Sequence, residues 1–158
     1  MTAFDVTLSD IETARGRVAG KVRRTPAYAS PDVSARLGRR TAVKLEALQM
    51  AGSFKVRGVF NKIATMTEDE RRRGLVTVSG GNHAIALANV ASTLGLDALV
   101  LMPKVTPRFN VDLATKYGAR IELCDDAAEA FGKAEEYQRQ GRLFVHPYDD
   151  PAIMAGSS

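Results

Sequence analysis

From residue 75 to residue 146 this chain alternates short apolar runs with helix-like segments, and that alternation leaves few folds open. "LVTVS" (75–79), "DALVLM" (97–102), "ARIELC" (119–124) and "RLFVH" (142–146) have the length and composition of strands. Between them lie "NHAIALANVASTLG" (82–95), "PRFNVDLATKYG" (107–118) and "AAEAFGKAEEYQRQG" (127–141), stopped by Gly95, Gly118 and Gly141. Such repeats join parallel neighbours through right-handed crossovers. The expectation is an α/β fold, an open parallel sheet with flanking helices.

The residues before this unit are less regular. "LSDIETARGRVAG" opens with Ser9 and carries Glu12 three residues on, so a boxed helix is predicted over 10–18. Thr25-Pro26 breaks the chain. "SPDVSARLG" places Ser30 as cap, Pro31 first in the helix and Gly38 as stop. "TAVKLEA" (41–47) alternates as a strand. A helix is expected from Ser53, its N-cap, to about Met66, and a short one from Thr67, boxed by Glu70, to Gly74. Pro151 and the small residues after it read as the start of another helix. A chain that stops there looks cut, so a fragment of a longer protein is expected.

Composition removes several function classes. With 45% hydrophobic and 25% charged residues the chain is ordinary for a globular protein. Its one cysteine, Cys124, forms no internal disulfide, which suits a reducing compartment. "MTAFDVTLSD" lacks the basic and apolar regions of a leader, and no apolar run approaches the roughly 20 residues that cross a bilayer. The expected location is the cytoplasm, with no membrane partner. The net charge is +4, but the cations sit in short clusters at Lys21–Arg24, Arg39–Arg40 and Arg71–Arg73 without interleaved aromatics. No nucleic-acid partner is expected from them.

"LVTVSGGNHAIALA" is strand, glycine turn, helix. Ligands of open α/β sheets bind beyond the carboxyl ends of strands. Glycines let the backbone approach a ligand, and free N–H groups at a helix start suit an anion. The spacing is neither a dinucleotide fingerprint nor a P-loop. A plain turn capped by Asn82 is the alternative, and the residues alone leave both open. His83 alone reads as a local hydrogen-bonding residue, and His146, before a proline in "HPYDDP", reads as structural. Two histidines and a distant cysteine give no metal set, and Ser79 with His83 lacks the carboxylate of a triad. Lys55 is harder to dismiss. Helix starts favour anions, yet a lysine stands there, either as a solvated cation or as an amine tuned for chemistry.

"GSFKVRG" (52–58) and "SGGNH" (79–83) together resemble two signature segments of the serine/threonine dehydratase group of fold-type II pyridoxal-phosphate enzymes. That group shares the fold of the tryptophan synthase β-subunit and includes serine racemases. "TPAYASPDVSARLG", "VKLEALQMAGSFKVRG" and "HPYDD" are similar to it as well, in the same order. The resemblance implies that Lys55 holds pyridoxal 5'-phosphate as a Schiff base, that Phe54 packs near it and that Asn82 bonds its ring hydroxyl. It implies that Ser79, Gly80, Gly81, Asn82 and His83 form the loop gripping the substrate carboxylate. Residues 1–73 would be the N-terminal part of the large cofactor domain, 74–147 the small domain, and 148–158 the start of the remaining large domain.

The helix start, the cations Arg57 and Lys44, and desolvation would all favour a neutral Lys55, as Schiff-base chemistry requires. The implied reaction is dehydration and deamination of L-threonine or L-serine to a 2-oxo acid and ammonia. Racemases of the group usually carry a serine where this chain has Gly80, so dehydration is favoured over racemisation. A non-catalytic fragment that binds a small carboxylate or a partner is the competing reading. The resemblance implies a homo-oligomer, dimer or tetramer, for the full-length enzyme. Its members are longer, and their second half supplies the phosphate loop. Weak cofactor binding and little activity are therefore expected of these 158 residues alone.

Overall fold

The computed structural model describes residues 6–158. The first five residues of the stretch read above as lacking a leader lie outside them. Helix α1 (Leu8–Val18) starts earlier than expected. Thr7 is its cap rather than Ser9: the Thr7 hydroxyl accepts from the Asp10 N–H at 3.2 Å, and the Asp10 carboxylate accepts from the Thr7 N–H at 2.9 Å. Thr7-x-x-Asp10 is the same reciprocal box as Ser9-x-x-Glu12, two residues upstream, with a shorter acid closing it.

Strand β1 (Ala27–Ala29) was not expected. It pairs antiparallel with β2 (Ala42–Lys44), Tyr28 opposite Val43, and α2 (Pro31–Leu37) links them. Strand β2 is shorter than the predicted 41–47. Glu46–Leu48 leave the ladder as a 3₁₀ turn, closed by the Leu48 N–H on the Leu45 carbonyl and the Gln49 N–H on the Glu46 carbonyl, both at 3.1 Å, while the Glu46 carboxylate accepts two hydrogen bonds from Arg57, both at 2.8 Å. Helices α3 (Lys55–Ala64) and α4 (Glu68–Arg72) follow, and Thr67 and Glu70 box α4 as expected.

Then come β3 (Leu75–Val78), α5 (Asn82–Leu94), β4 (Ala98–Pro103), α6 (Arg108–Lys116), β5 (Arg120–Cys124), α7 (Ala127–Arg139), β6 (Leu143–Phe144) and α8 (Pro151–Ser157). The four strands are parallel in the order β5-β4-β3-β6. The chain steps outward from β3 to β5 and then returns to lay β6 on the other side of β3. Side chains alternate across the sheet. Val76, Val78, Leu99 and Leu101 pack with Ala130 and Ala134 of α7. Leu75, Ala98, Val100 and Met102 join the main core with α5 and α3.

Helix α5 is buried from His83 to Ala88 and again at Val90 and Ala91. It lies between the sheet and α3, which is why its sequence is apolar nearly all round. Beyond α3 lies α8. A Cβ added to Gly58 would stand 2.7 Å from the Ile153 carbonyl oxygen. One added to Gly156 would stand 2.9 Å from both the Arg57 carbonyl oxygen and the Gly58 Cα. The two backbones touch at glycine, and Asn61 Nδ2 fixes the crossing by donating to the Ala152 carbonyl at 2.8 Å.

Candidate active site

In a parallel sheet all carboxyl ends share one edge. The Ser79–His83 turn leaves β3 at that edge, residues 145–150 leave β6, and residues 104–107 leave β4. Because β3 connects toward β4 while β6 returns on its other side, the crevice between β3 and β6 is where strand order reverses. That is the favoured ligand position of an open α/β sheet.

Lys55 reaches this crevice from α3. Its Nζ donates to the Pro147 carbonyl at 2.7 Å and lies 5.3 Å from the Phe54 ring centre. Burial lowers the lysine pKa below its ordinary value. The expected contribution of Arg57 and Lys44 is not the cause. Both are turned to Glu46, with contacts of 2.8 and 3.8 Å. Arg57, Lys44 and the Thr25 hydroxyl together hold that carboxyl at about 2.

Ser53 does not cap α3 with its side chain. Ala51 (φ 55) and Gly52 (φ 71) turn the chain through left-handed backbone, and Ser53 follows in extended conformation with its hydroxyl buried and unpartnered. Phe54 takes the cap position with no side-chain bond. A left-handed alanine is a strained choice, and it lies four residues before Lys55.

At the β3 turn the cap of α5 is Gly81, not Asn82, which is the exposed first residue of the helix. Gly81 N–H donates to Ser79 Oγ at 3.2 Å. His83 is buried. Its Nε2 lies 3.3 Å from the Val145 carbonyl, which also accepts from Thr77 Oγ1 at 2.7 Å. A carbonyl takes only a donor, so Nε2 carries the proton and Nδ1 is left as an acceptor without a partner. Burial pushes the His83 pKa down to about 4, helped by the charges of Lys55 and His146. His146 is structural, as expected: its Nδ1 accepts the Asp149 N–H at 2.7 Å and shapes the loop after β6.

The structure therefore brings Lys55, the β3 turn and the residues after β6 to one edge. Sequence reasoning missed three participants. Pro147 acts through a backbone carbonyl, which leaves no signature in a sequence. Thr106, from the β4–α6 connection, and Asn110, from the first turn of α6, both lie against Gly80. The orphaned polar atoms Ser53 Oγ and His83 Nδ1 belong to the two segments flanking Lys55. Together with a desolvated amine and an aromatic ring, they fit a planar cofactor bearing an aldehyde and polar ring substituents.

Residues 18–158 match the family model described as pyridoxal-phosphate dependent enzyme. The chain is 38% identical over 153 residues to L-threonine dehydratase catabolic TdcB of Escherichia coli (strain K12), covering 96% of this chain and 46% of that protein. Among solved structures, maize serine racemase superposes with a TM-score of 0.87 at 31% identity, covering 96% of this chain and 46% of that one. A threonine deaminase from T.th. does so at 0.82 and 37%, covering 95% and 48%. The fold is thus that of the fold-type II pyridoxal-phosphate enzymes, and the chain belongs to the pyridoxal-phosphate dependent enzyme family. The cofactor of that family is pyridoxal phosphate, and relatives of this chain are named threonine dehydratases. The chain spans about half the length of the curated relatives it matches. No helix among the described residues is long and apolar enough to cross a membrane.

Proposed function

We propose that this chain carries the lysine-bearing part of a site for β-elimination of L-threonine or L-serine, within a longer enzyme. The observation that carries the reading is the desolvated Lys55 amine at the crevice between β3 and β6, 2.7 Å from the Pro147 carbonyl and on the same edge as the glycine turn. Lys55 would hold the cofactor, and its amine would take the Cα proton of the substrate; a neutral amine is needed for both. Bound pyridoxal phosphate supplies the electron sink for the Cα electron pair. Phe54 would pack beside it, and Asn82 would bond its ring hydroxyl. Ser79, Gly80 and the N–H groups of Gly81, Asn82 and His83 hold the substrate carboxylate, as suits a helix start without a side-chain cap. The hydroxyl departs as water, and hydrolysis then releases ammonia and the 2-oxo acid.

The same reading divides the chain into residues 1–73 and 148–158 of a large domain and a small domain of 74–147. It takes the full-length enzyme as a cytoplasmic homo-oligomer. Exposed Tyr28, Leu37, Val43 and Leu48 support the idea that further protein covers the first region.

Borohydride reduction in the presence of pyridoxal phosphate, followed by peptide mass spectrometry, tests the assignment. A pyridoxyl adduct on Lys55, lost in Lys55→Ala, is expected. No Lys55 adduct at saturating cofactor would favour the non-catalytic carboxylate-binding fragment.

A further inference from the structure

Asn110 stands in the first turn of α6, where an asparagine side chain ordinarily serves its own helix start. The cap position there is Pro107, without a side-chain bond. Asn110 Nδ2 instead donates to the carbonyl of Gly80, 30 residues away, at 2.8 Å. Only the amide nitrogen can meet a carbonyl, so the orientation of the side chain is fixed. Thr106 approaches the same glycine from the connection just before α6. A Cβ at Gly80 would overlap the Thr106 hydroxyl oxygen and stand 3.3 Å from the threonine Cβ and Cγ2.

Gly80 is thus held on two sides. In a trans peptide the C=O and the following N–H point in opposite directions. Anchoring the Gly80 carbonyl on α6 therefore turns the Gly81 N–H away from α6, toward Ser79 Oγ. The open side of the turn is at Gly81, where an added Cβ would meet nothing within 4 Å.

We propose that Asn110 and Thr106 are positioning residues for the carboxylate of an amino-acid substrate: they clamp Gly80 so that the Gly80–Gly81 peptide, its N–H paired with Ser79 Oγ, holds the turn in its binding shape before the ligand arrives. The inference rests on the carboxylate reading of the Ser79–His83 turn. Donors oriented in advance need less ordering when the ligand binds. The clamp also accounts for glycine at position 80, since any Cβ there would force Thr106 to shift.

Nitrogen-15 NMR of this chain tests the clamp in two ways. Without ligand, Asn110→Leu keeps the side-chain size and removes the donor. It should shift the Gly81 amide resonance and speed its hydrogen exchange about tenfold, with the amides of β3 and β4 unchanged. An unmoved Gly81 overturns the clamp. Gly80→Ser should disturb the same resonance, and Thr106→Ala added to it should restore the wild-type position; failure to restore it removes Thr106 from the proposal. In the second readout sodium L-threonine is titrated in. Wild type should shift Gly81, Asn82 and His83, and Asn110→Leu should bind about tenfold more weakly. Equal binding overturns the positioning role. If wild type shows no shift at the turn, the carboxylate reading fails and takes the positioning role with it, while the ligand-free measurements still decide whether the clamp exists.

Discussion

Strands β3 and β4 are buried along almost their whole length, whereas β1, β2 and α2 contribute no buried residue. The sheet is covered on both faces and owns its core. The hairpin before it is held by polar side chains. Buried Gln49 accepts the Arg23 N–H and donates to the Arg23 carbonyl, both at 2.9 Å, and Glu46 bridges Arg57, Lys44 and Thr25. A two-stranded ribbon without a covered face is marginal alone. The contrast teaches that one part of the chain is stable by packing and the other by a few ionic and amide anchors.

Gly156→Ala is the largest expected disturbance. The added methyl meets the Asn61 Cβ at 2.6 Å and the backbone of Arg57 and Gly58 at 2.9 Å, none of which can swing aside, and a loss of about 2–3 kcal/mol is expected in urea unfolding. An effect below about 0.5 kcal/mol would mean that α8 is loosely seated and that the packed region ends at α3. Next in size is an acid response from the packed region. His83 sits at about 4 in the folded state against 6.5 for a free imidazole. The unfolded chain therefore binds a proton between those values that the folded chain refuses, and stability falls as pH drops from about 6.5 to 4, by about 2 kcal/mol. Replacing His83 with Leu should flatten that window; an unchanged slope would assign it to another group.

The smallest effect belongs to the hairpin. Glu46 is held at about 2 against 4.5, first by its hydrogen bonds from Arg57. Its contribution is present above 4.5 and is lost as pH falls toward 2. Partial exposure limits it to about 1 kcal/mol. Glu46→Gln should remove this lower window and leave the His83 window intact. If it abolished both, the two regions would not respond separately and the contrast would fail.

The parallel sheet was legible because each strand is an apolar run bounded by glycine, proline or polar residues. The run 75–79 became Leu75–Val78, and 97–102 became Ala98–Pro103. The hairpin was not legible. Three residues after Pro26 have no pattern of their own, and their partner lies across a helix. Thr7 and Ser9 both head a valid box, and the sequence offers no ground for choosing between them. At the candidate site the lysine and the glycine turn stood out by residue type and spacing. Thr106 and Asn110 did not, because their contact with Gly80 exists only once β3 and β4 lie side by side. Ser53 misled because left-handed Ala51 and Gly52 change where it points.

Helix α3 opens with Lys55, and α8 follows directly on the segment that holds the Pro147 carbonyl. The contact between Gly58 and Gly156 therefore holds the two helices at backbone distance from each other. The seating of α3 on α8 thus fixes the spacing between the amine and the strand edge, as a gauge block fixes a jaw.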